Sequence, residues 1–410
     1  MDSPLAGIHV VDFTHVMAGP YCTHILCLLG ARVTKIERGS EGDVMRHYDP
    51  RPEYEAMSPP FCAINAGKKS IALNLKTEAG KEAAQRLINS ADVVVENFRP
   101  GVLDRLGLGY GDSKKNNPSL IYCSISGFGQ QGPLKNNPAY DHIVQAMSGI
   151  MSLTGEPGSK HTKVGFPVLD TFAGYTAAMA IMTALFQRER ENKKEKEKES
   201  PGGQHLSGQY IDVAMLDAAL NLMISMVAPY LIAGDIPEKV GNRGFNMSPT
   251  SDTFTALDSE ISIGANTQKQ YEALCKALER EDLITDSRFI TQQERIINEK
   301  QLQAEIEQST CQRHALEWEQ TLNDAGVPSA AIRDITEIIQ HPHLDTRGLK
   351  IPMHSPTSDA FTYTLSPGFA INTGADGLSA PPKLGEHSAE ILASLGYSEQ
   401  QIRELQAEAI

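Results

Sequence analysis

Short apolar, β-branched runs alternate with amphipathic stretches through the first third of the chain. "IHVVDFT" (residues 8–14) is strand-like, "PYCTHILCLLG" (20–30) repeats its apolar residues at helical spacing and closes on glycine, and "ARVTKIER" (31–38) is strand-like again. This is a βαβ unit, two parallel strands joined by a crossover helix. The alternation continues with "SIALNL" (70–75), a helix over "TEAGKEAAQRLINS" (77–90), "ADVVVENF" (91–98), a short helix near "GVLDRLGLG" and "SLIYCSIS" (119–126). The pattern predicts an α/β fold with a doubly wound parallel sheet. Ligands of such sheets sit at the carboxyl ends of the strands, here "THVMAGP", "ERGSEGD", "ENFRPG" and "SGFGQQGP".

Beyond this, "TFAGYTAAMAIMTALFQRER" (171–190) reads as a buried helix, and the charged block that follows, about 191–207, as a solvated loop. "YIDVAMLDAALNLMISMVAPYLIAG" (210–234) predicts a strand and one long linking helix. A separate strand and helix pattern over 235–329 predicts a smaller α+β domain. Residues 1–209 and 330–410 are expected to form one discontinuous large domain, ending in a strand at "FTYTLS" and one last helix over "SAEILASLGYSEQQIRELQ".

Composition narrows the class. The chain of 410 residues is 40% hydrophobic and 21% charged, as expected for a globular protein, and no early segment joins a basic start to a long apolar run. Neither a signal peptide nor a membrane partner is expected. Six cysteines (22, 27, 62, 123, 275 and 311) form no CxxC pair and read as reduced thiols of a cytoplasmic protein. With 37 basic against 51 acidic side chains, the net charge of −14 argues against a nucleic-acid partner. "HPH" (341–343) brings two histidines together, but Pro342 keeps them off a helical i, i+4 face, so the stretch reads as a surface loop and no metal is expected.

Two stretches carry chemistry. In "PVLDTFAG" (167–174) the carboxylate of Asp170 stands at the start of an apolar helix, where it is either an N-cap or a nucleophile. In "GFGQQG", Gly127, Gly129 and Gly132 match G-x-G-x-x-G, but Pro133 follows and no helix begins until about Asp141. Dinucleotide binding needs a helix at the third glycine, so the loop is better suited to giving backbone amides to a thioester or carboxylate.

Laid end to end, "DFTHVMAGPYCTHILCLLGARVTKIERGSEGD", "NAGKKSIALNLKT", "ADVVVENFRPGVLDRLGLGY", "IYCSISGFGQQGPL", "YDHIVQAMSGIMSLTGEPG", "PVLDTFAG", "GQYIDVAMLDAAL", "DSRFITQQERIINEKQL" and "PPKLGEH" resemble the family III CoA-transferases over nearly the whole chain. The resemblance implies a large and a small domain in an interlocked homodimer. It also implies that Asp170 is the nucleophile of a double displacement through an acyl-aspartyl anhydride and an aspartyl-CoA thioester, with coenzyme A as substrate and no resident cofactor. Residue by residue it implies CoA contacts at Val16, Met17, Ala18, Arg38, Leu73, Asn97, Phe98, Arg105 and Leu106. Cations at Arg38, Lys68, Lys69 and Arg105 are expected to supply a positive field for the phosphates. Gly129, Tyr140, Arg46 and Arg243 are the expected substrate contacts, the two arginines as anchors for a second carboxylate on the acceptor.

The expected reaction moves CoA from a donor such as succinyl-CoA to a small carboxylic acid, a dicarboxylate by preference. Met17 and the absence of a glycine run in the small domain separate the chain from formyl-CoA:oxalate transferases. An α-methylacyl-CoA racemase needs acid and base groups on opposite faces of the α-carbon. In that subfamily a histidine precedes the aspartate equivalent to Asp141; here the position is Tyr140. A CoA-binding protein without catalysis is the third alternative, and it would leave Asp170 dispensable.

Overall fold

Six strands form one parallel sheet in the computed structural model, which describes residues 3–196, 208–244, 246–355, 357, 361–370 and 377–409. They are β1 (His9–Asp12), β2 (Arg32–Glu37), β3 (Lys69–Ala72), β4 (Val93–Glu96), β5 (Ile121–Ser126) and β6 (Gln209–Ala214), in the order β3-β2-β1-β4-β5-β6. Every neighbouring pair is parallel. The order reverses between β1 and β4, which makes the crevice beyond their carboxyl ends the expected ligand site.

Successive residues along these strands face opposite layers, and both layers are apolar. Val10, Val33, Val93, Val95, Ile121 and Cys123 pack against helices α1 (Ala18–Leu28), α4 (Val168–Lys196) and α5 (Met215–Leu222). Between α1 and α4 in the chain lie α2 (Glu78–Asn89), N-capped by Thr77 on the Gly80 amide, and α3 (Asp141–Ser148). Val11, Ile36, Ile71, Val94 and Tyr122 face the other way, onto α2 and onto residues 391–405 near the end of the chain.

Helix α4 is long and apolar enough to cross a bilayer by composition, but Leu169, Ala173, Ala177, Ile181 and Ala184 on one face are buried in the core. It continues to Lys196, so the loop expected from 191 does not begin there. Glu, Lys, Gln and Arg are good helix formers, and pairs four apart, such as Gln187 Nε2 donating to Glu191 Oε1 at 2.9 Å, support the extension. Residues 197–207 of that block lie outside the described residues. The single linking helix expected after β6 is two: α5 and α6 (Ile224–Ala233) break at Met223 and bend by 81°.

The chain divides into two compact units, Met1–Met151 with Lys163–Ile236 and His343–Ile410, and Ser152–Thr162 with Pro237–Pro342. The second has an antiparallel sheet of β7 (Ser251–Thr255), β8 (Glu260–Gly264) and β9 (Ser329–Ala331). Phe254, Ile261, Tyr271, Leu302 and Trp318 fill its core, and the Trp318 indole donates to the Thr310 carbonyl at 2.8 Å. "HPH" is not a loop: Pro342 opens the short helix Pro342–Thr346, a position that needs no N–H.

The last stretch of the first unit pairs β10 (Lys350–His354) with β11 (Phe361–Leu365) and ends in two helices rather than one. These are α7 (Ser388–Ser394) and α8 (Glu399–Ala409), separated at Gly396, whose φ of +85° ends the first helix.

Candidate active site and nucleotide cavity

The turn from β1 into α1 rests on a set of fully buried charges. Asp12 accepts from the Thr14 amide (2.8 Å), the Thr23 hydroxyl (2.7 Å) and Lys68 Nζ (3.2 Å). Lys35 donates to the Thr14 carbonyl at 2.6 Å and pairs with Asp43 at 3.1 Å. Asp43 in turn accepts from the Val16 amide at 3.1 Å and caps the short helix Val44–His47 through Met45 N at 3.0 Å. Burial alone would raise the Asp12 carboxyl, but Lys68, Lys35 and the hydroxyls of Thr14 and Thr23 overcome it and hold the group at about 2. The same balance keeps Glu37 and Asp43 below the usual carboxylate range.

These bonds fix Val16 at a φ of +65°, a conformation that a β-branched residue adopts only when its surroundings impose it. From the neighbouring strand end, Asn97 clamps the same turn, accepting from the His15 amide and donating to the His15 carbonyl, both at 2.8 Å.

Beside this turn lies a cavity of about 580 Å³, within the range of small-molecule sites. It sits at the ends of β1 to β4 and is lined by Phe13, His15, Arg38, Leu73, Phe98 and Leu106, among others. The Phe98 ring meets His15 edge-on at 4.9 Å between centroids. Burial and then Lys35 lower the pKa of His15 below its ordinary value. Four expected CoA contacts, Arg38, Leu73, Phe98 and Leu106, therefore share one cavity. Leu73 serves both readings, because it is also part of the buried core. Asn97 acts through the backbone of His15, and exposed Arg105 ends the short helix Val102–Arg105.

Asp170 is brought near the same turn by the packing of α4 on α1. Gly174, one helical turn further along α4, has no room for a side chain: a Cβ there would stand 2.6 Å from the Ala18 carbonyl. This close crossing sets the first turn of α4 against the start of α1. The start of α4 is capped by a neighbour of Asp170. The Leu169 and Asp170 amides donate to Oδ2 of Asp141, at 2.8 and 3.1 Å, so Asp141 caps the helix. Burial, then the Asp141 charge, raises the pKa of Asp170 to about 7. Tyr48 stands in the field of Asp43, Tyr140 and Asp170, and its hydroxyl is held above its ordinary value, first by burial. Tyr140 is 69% exposed and stacks on His142.

Other expected contacts are committed elsewhere. Arg46 is 4% exposed. It grips Glu37 with two nitrogens (2.9 and 2.7 Å), donates to the Pro382 carbonyl at 3.0 Å and lies over the Phe61 ring. It is corrected from an acceptor anchor to a structural residue, because its donors are satisfied within the protein. Lys68 is corrected likewise: it points into the core, onto Asp12, Pro20, Thr23 and Asn65. Lys69 pairs with Glu390. The Gly129 amide, expected to face a substrate, donates to Ser126 Oγ at 2.9 Å, and the next amide donates to Asp212 at 2.9 Å. Arg243, in the second unit, pairs with Glu299.

The sequence reading missed His15, Tyr48, Asp141 and Glu96. His15 carried a signal, since it stands directly beyond a strand's carboxyl end. Glu96 ends β4 at 6% exposure, accepts from the Phe98 amide at 2.8 Å, and is raised to about 7, chiefly by burial.

The model of CoA-transferase family III matches residues 5–388, so the chain belongs to that family. It is similar to acetyl-CoA:oxalate CoA-transferase of Acetobacter aceti, 39% identical over 349 residues and 85% of each chain. Succinyl-CoA:mesaconate CoA-transferase of Haloarcula marismortui is 35% identical over 402 residues and 96% of each chain. A solved structure of a CAIB/BAIF family protein from Brucella suis, 35% identical, matches with a TM-score of 0.83 over 96% of this chain and 100% of its own. The protein is thus a CoA-transferase enzyme.

Proposed function

We propose that the enzyme moves CoA from succinyl-CoA to a small dicarboxylate, with Asp170 as the nucleophile. The observation that carries this reading is a carboxylate of raised pKa at a helix start already capped by another residue, beside the turn that borders the nucleotide cavity. An Asp170 oxygen attacks the donor thioester carbonyl, the C–S bond breaks, and CoA leaves as a thiolate. The thiolate then attacks the aspartyl carbonyl of the anhydride, releasing the donor acid and forming an aspartyl-CoA thioester. The acceptor carboxylate repeats both steps in reverse order and frees Asp170. Coenzyme A is a substrate, and no resident cofactor takes part. Both intermediates hydrolyse, so the site must exclude water, and the desolvation that raises the basicity of half-buried Asp170 acts in the same direction.

Asp170→Ala is expected to lower transfer by more than about a thousandfold while CoA still binds, the pattern of a lost nucleophile. Measuring both separates the roles, and near-normal turnover would overturn the mechanism. A carboxylate panel with succinyl-CoA and acetyl-CoA, product thioesters read by mass, identifies the acceptor. Oxalate with acetyl-CoA is the second reading, favoured by the Acetobacter relative.

The working form in this proposal is a cytoplasmic, interlocked homodimer. It is supported by six cysteines free of disulfides and by exposed apolar side chains on α4 (Met179, Phe186) and α6 (Tyr230, Leu231 and Ile232, the last by 85%). Light scattering at micromolar concentration is expected to give twice the chain mass of 44.7 kDa, and a folded monomer would contradict it.

A further inference from the structure

We propose that the end of α8 is the base-reading wall of the nucleotide cavity, with the Glu408 carboxylate accepting a hydrogen bond from the exocyclic amine of adenine. The inference rests on reading that cavity as the CoA site. Glu408 and Ala409 line it together with residues of the β2 and β3 loops.

Two contacts hold this wall in place. Asn74 Nδ2, in the loop after β3, donates to the Glu408 carbonyl at 3.3 Å. In the loop after β2, a Cβ on Gly39 would stand 1.7 Å from the Ala409 carbonyl, so only glycine lets the helix end lie so close.

Charge then sorts the parts of the ligand. Arg38 and Lys76, also in the lining, suit phosphates. Of the other two carboxylates of the lining, Glu37 is held by buried Arg46, and Glu41 stands 3.3 Å from Arg38, the cation that suits the phosphates. Glu408 adds a full negative charge to the negative end of a helix, which repels a phosphate and favours a donor. Adenine is the part of CoA that joins a flat apolar body to a neutral N–H donor, and Ile36, Leu73 and Leu106 offer it an apolar bed.

The test measures binding by calorimetry, independent of turnover, for CoA, for its hypoxanthine analogue, which has a carbonyl in place of the amine, and for pantetheine. Wild type is expected to prefer CoA over the analogue by about tenfold, the scale of one charge-assisted hydrogen bond. Glu408→Ala removes that preference, and Glu408→Gln, whose amide offers a donor to the hypoxanthine carbonyl, narrows or reverses it. Gly39→Ala displaces the wall and weakens CoA while leaving pantetheine unchanged. A Glu408→Ala protein of wild-type melting temperature that keeps the full preference overturns the inference and leaves the CoA site standing. Wild type that binds CoA no better than pantetheine overturns the reading of the cavity itself.

Discussion

Two sets of desolvated carboxylates in the first unit are treated in opposite ways. Asp12, Glu37 and Asp43 lie among Lys35, Lys68 and Arg46, three anions with three cations, and all three are held below the usual range. Glu96, buried, and Asp170, half-buried, stand beside other carboxylates instead, and desolvation carries both to about 7. A paired carboxylate keeps its charge at every working pH and serves as scaffold. One left without a cation changes charge near neutrality, where a reacting group is useful. The scaffold holds the strained turn at Val16, whose His15 lines the cavity and whose Ala18 meets Gly174 of the Asp170 helix.

The largest effect should come from breaking the paired set. Lys35→Met leaves Asp43 without its cation and takes a charge away from Asp12 and Glu37, and is expected to cost about 3–5 kcal/mol in urea unfolding. A loss below about 1 kcal/mol would mean that water or rearrangement replaces the lysine.

The unpaired set should respond in the opposite sense. Asp170 has a raised folded pKa, so between its ordinary value near 3.8 and about 7 the native state keeps a proton that the unfolded chain has released. Stability therefore falls as pH rises through that window. Asp170→Asn removes the penalty and is expected to stabilise the protein by about 2–4 kcal/mol at pH 8, with the gain fading toward pH 4. Urea midpoints at the two pH values check it, and an equal gain at both would place the effect elsewhere.

Catalysis should show the smallest free-energy change in the same window. Because the nucleophile must be ionised, kcat/KM for the acyl-CoA is expected to fall about tenfold per pH unit below 7. Glu96→Gln should leave that limb in place, which assigns it to Asp170. A limb that vanishes with Glu96 would exchange their roles.

Much of this was legible from the chain because the sheet strands are short apolar runs and the helices between them carry caps and closing glycines. The strand-end loops of β1, β2 and β4 did hold the cavity. Partners distant in sequence were not legible. Arg46 reads as a cleft cation until Pro382, 336 residues away, takes one of its donors. Lys68 meets Asp12 across 56 residues. Asp141 caps a helix 29 residues on, leaving no local pattern to mark it. The break at Met223 falls inside a continuous apolar run, where periodicity gives no warning.

Strand β3 is covered on its outer side by the final segment: the Ala72 amide donates to Ser388 Oγ at 3.1 Å, and the His387 amide to the Ser70 carbonyl at 2.9 Å. The separation of 316 residues between Ala72 and Ser388 has a consequence for synthesis. At 5–20 residues per second, the ribosome takes on the order of 15–60 s to deliver the covering segment, and the second unit emerges first. Throughout that interval the nascent sheet shows an open edge and an unfinished cavity, so β3 is the place where a chaperone would have most to protect.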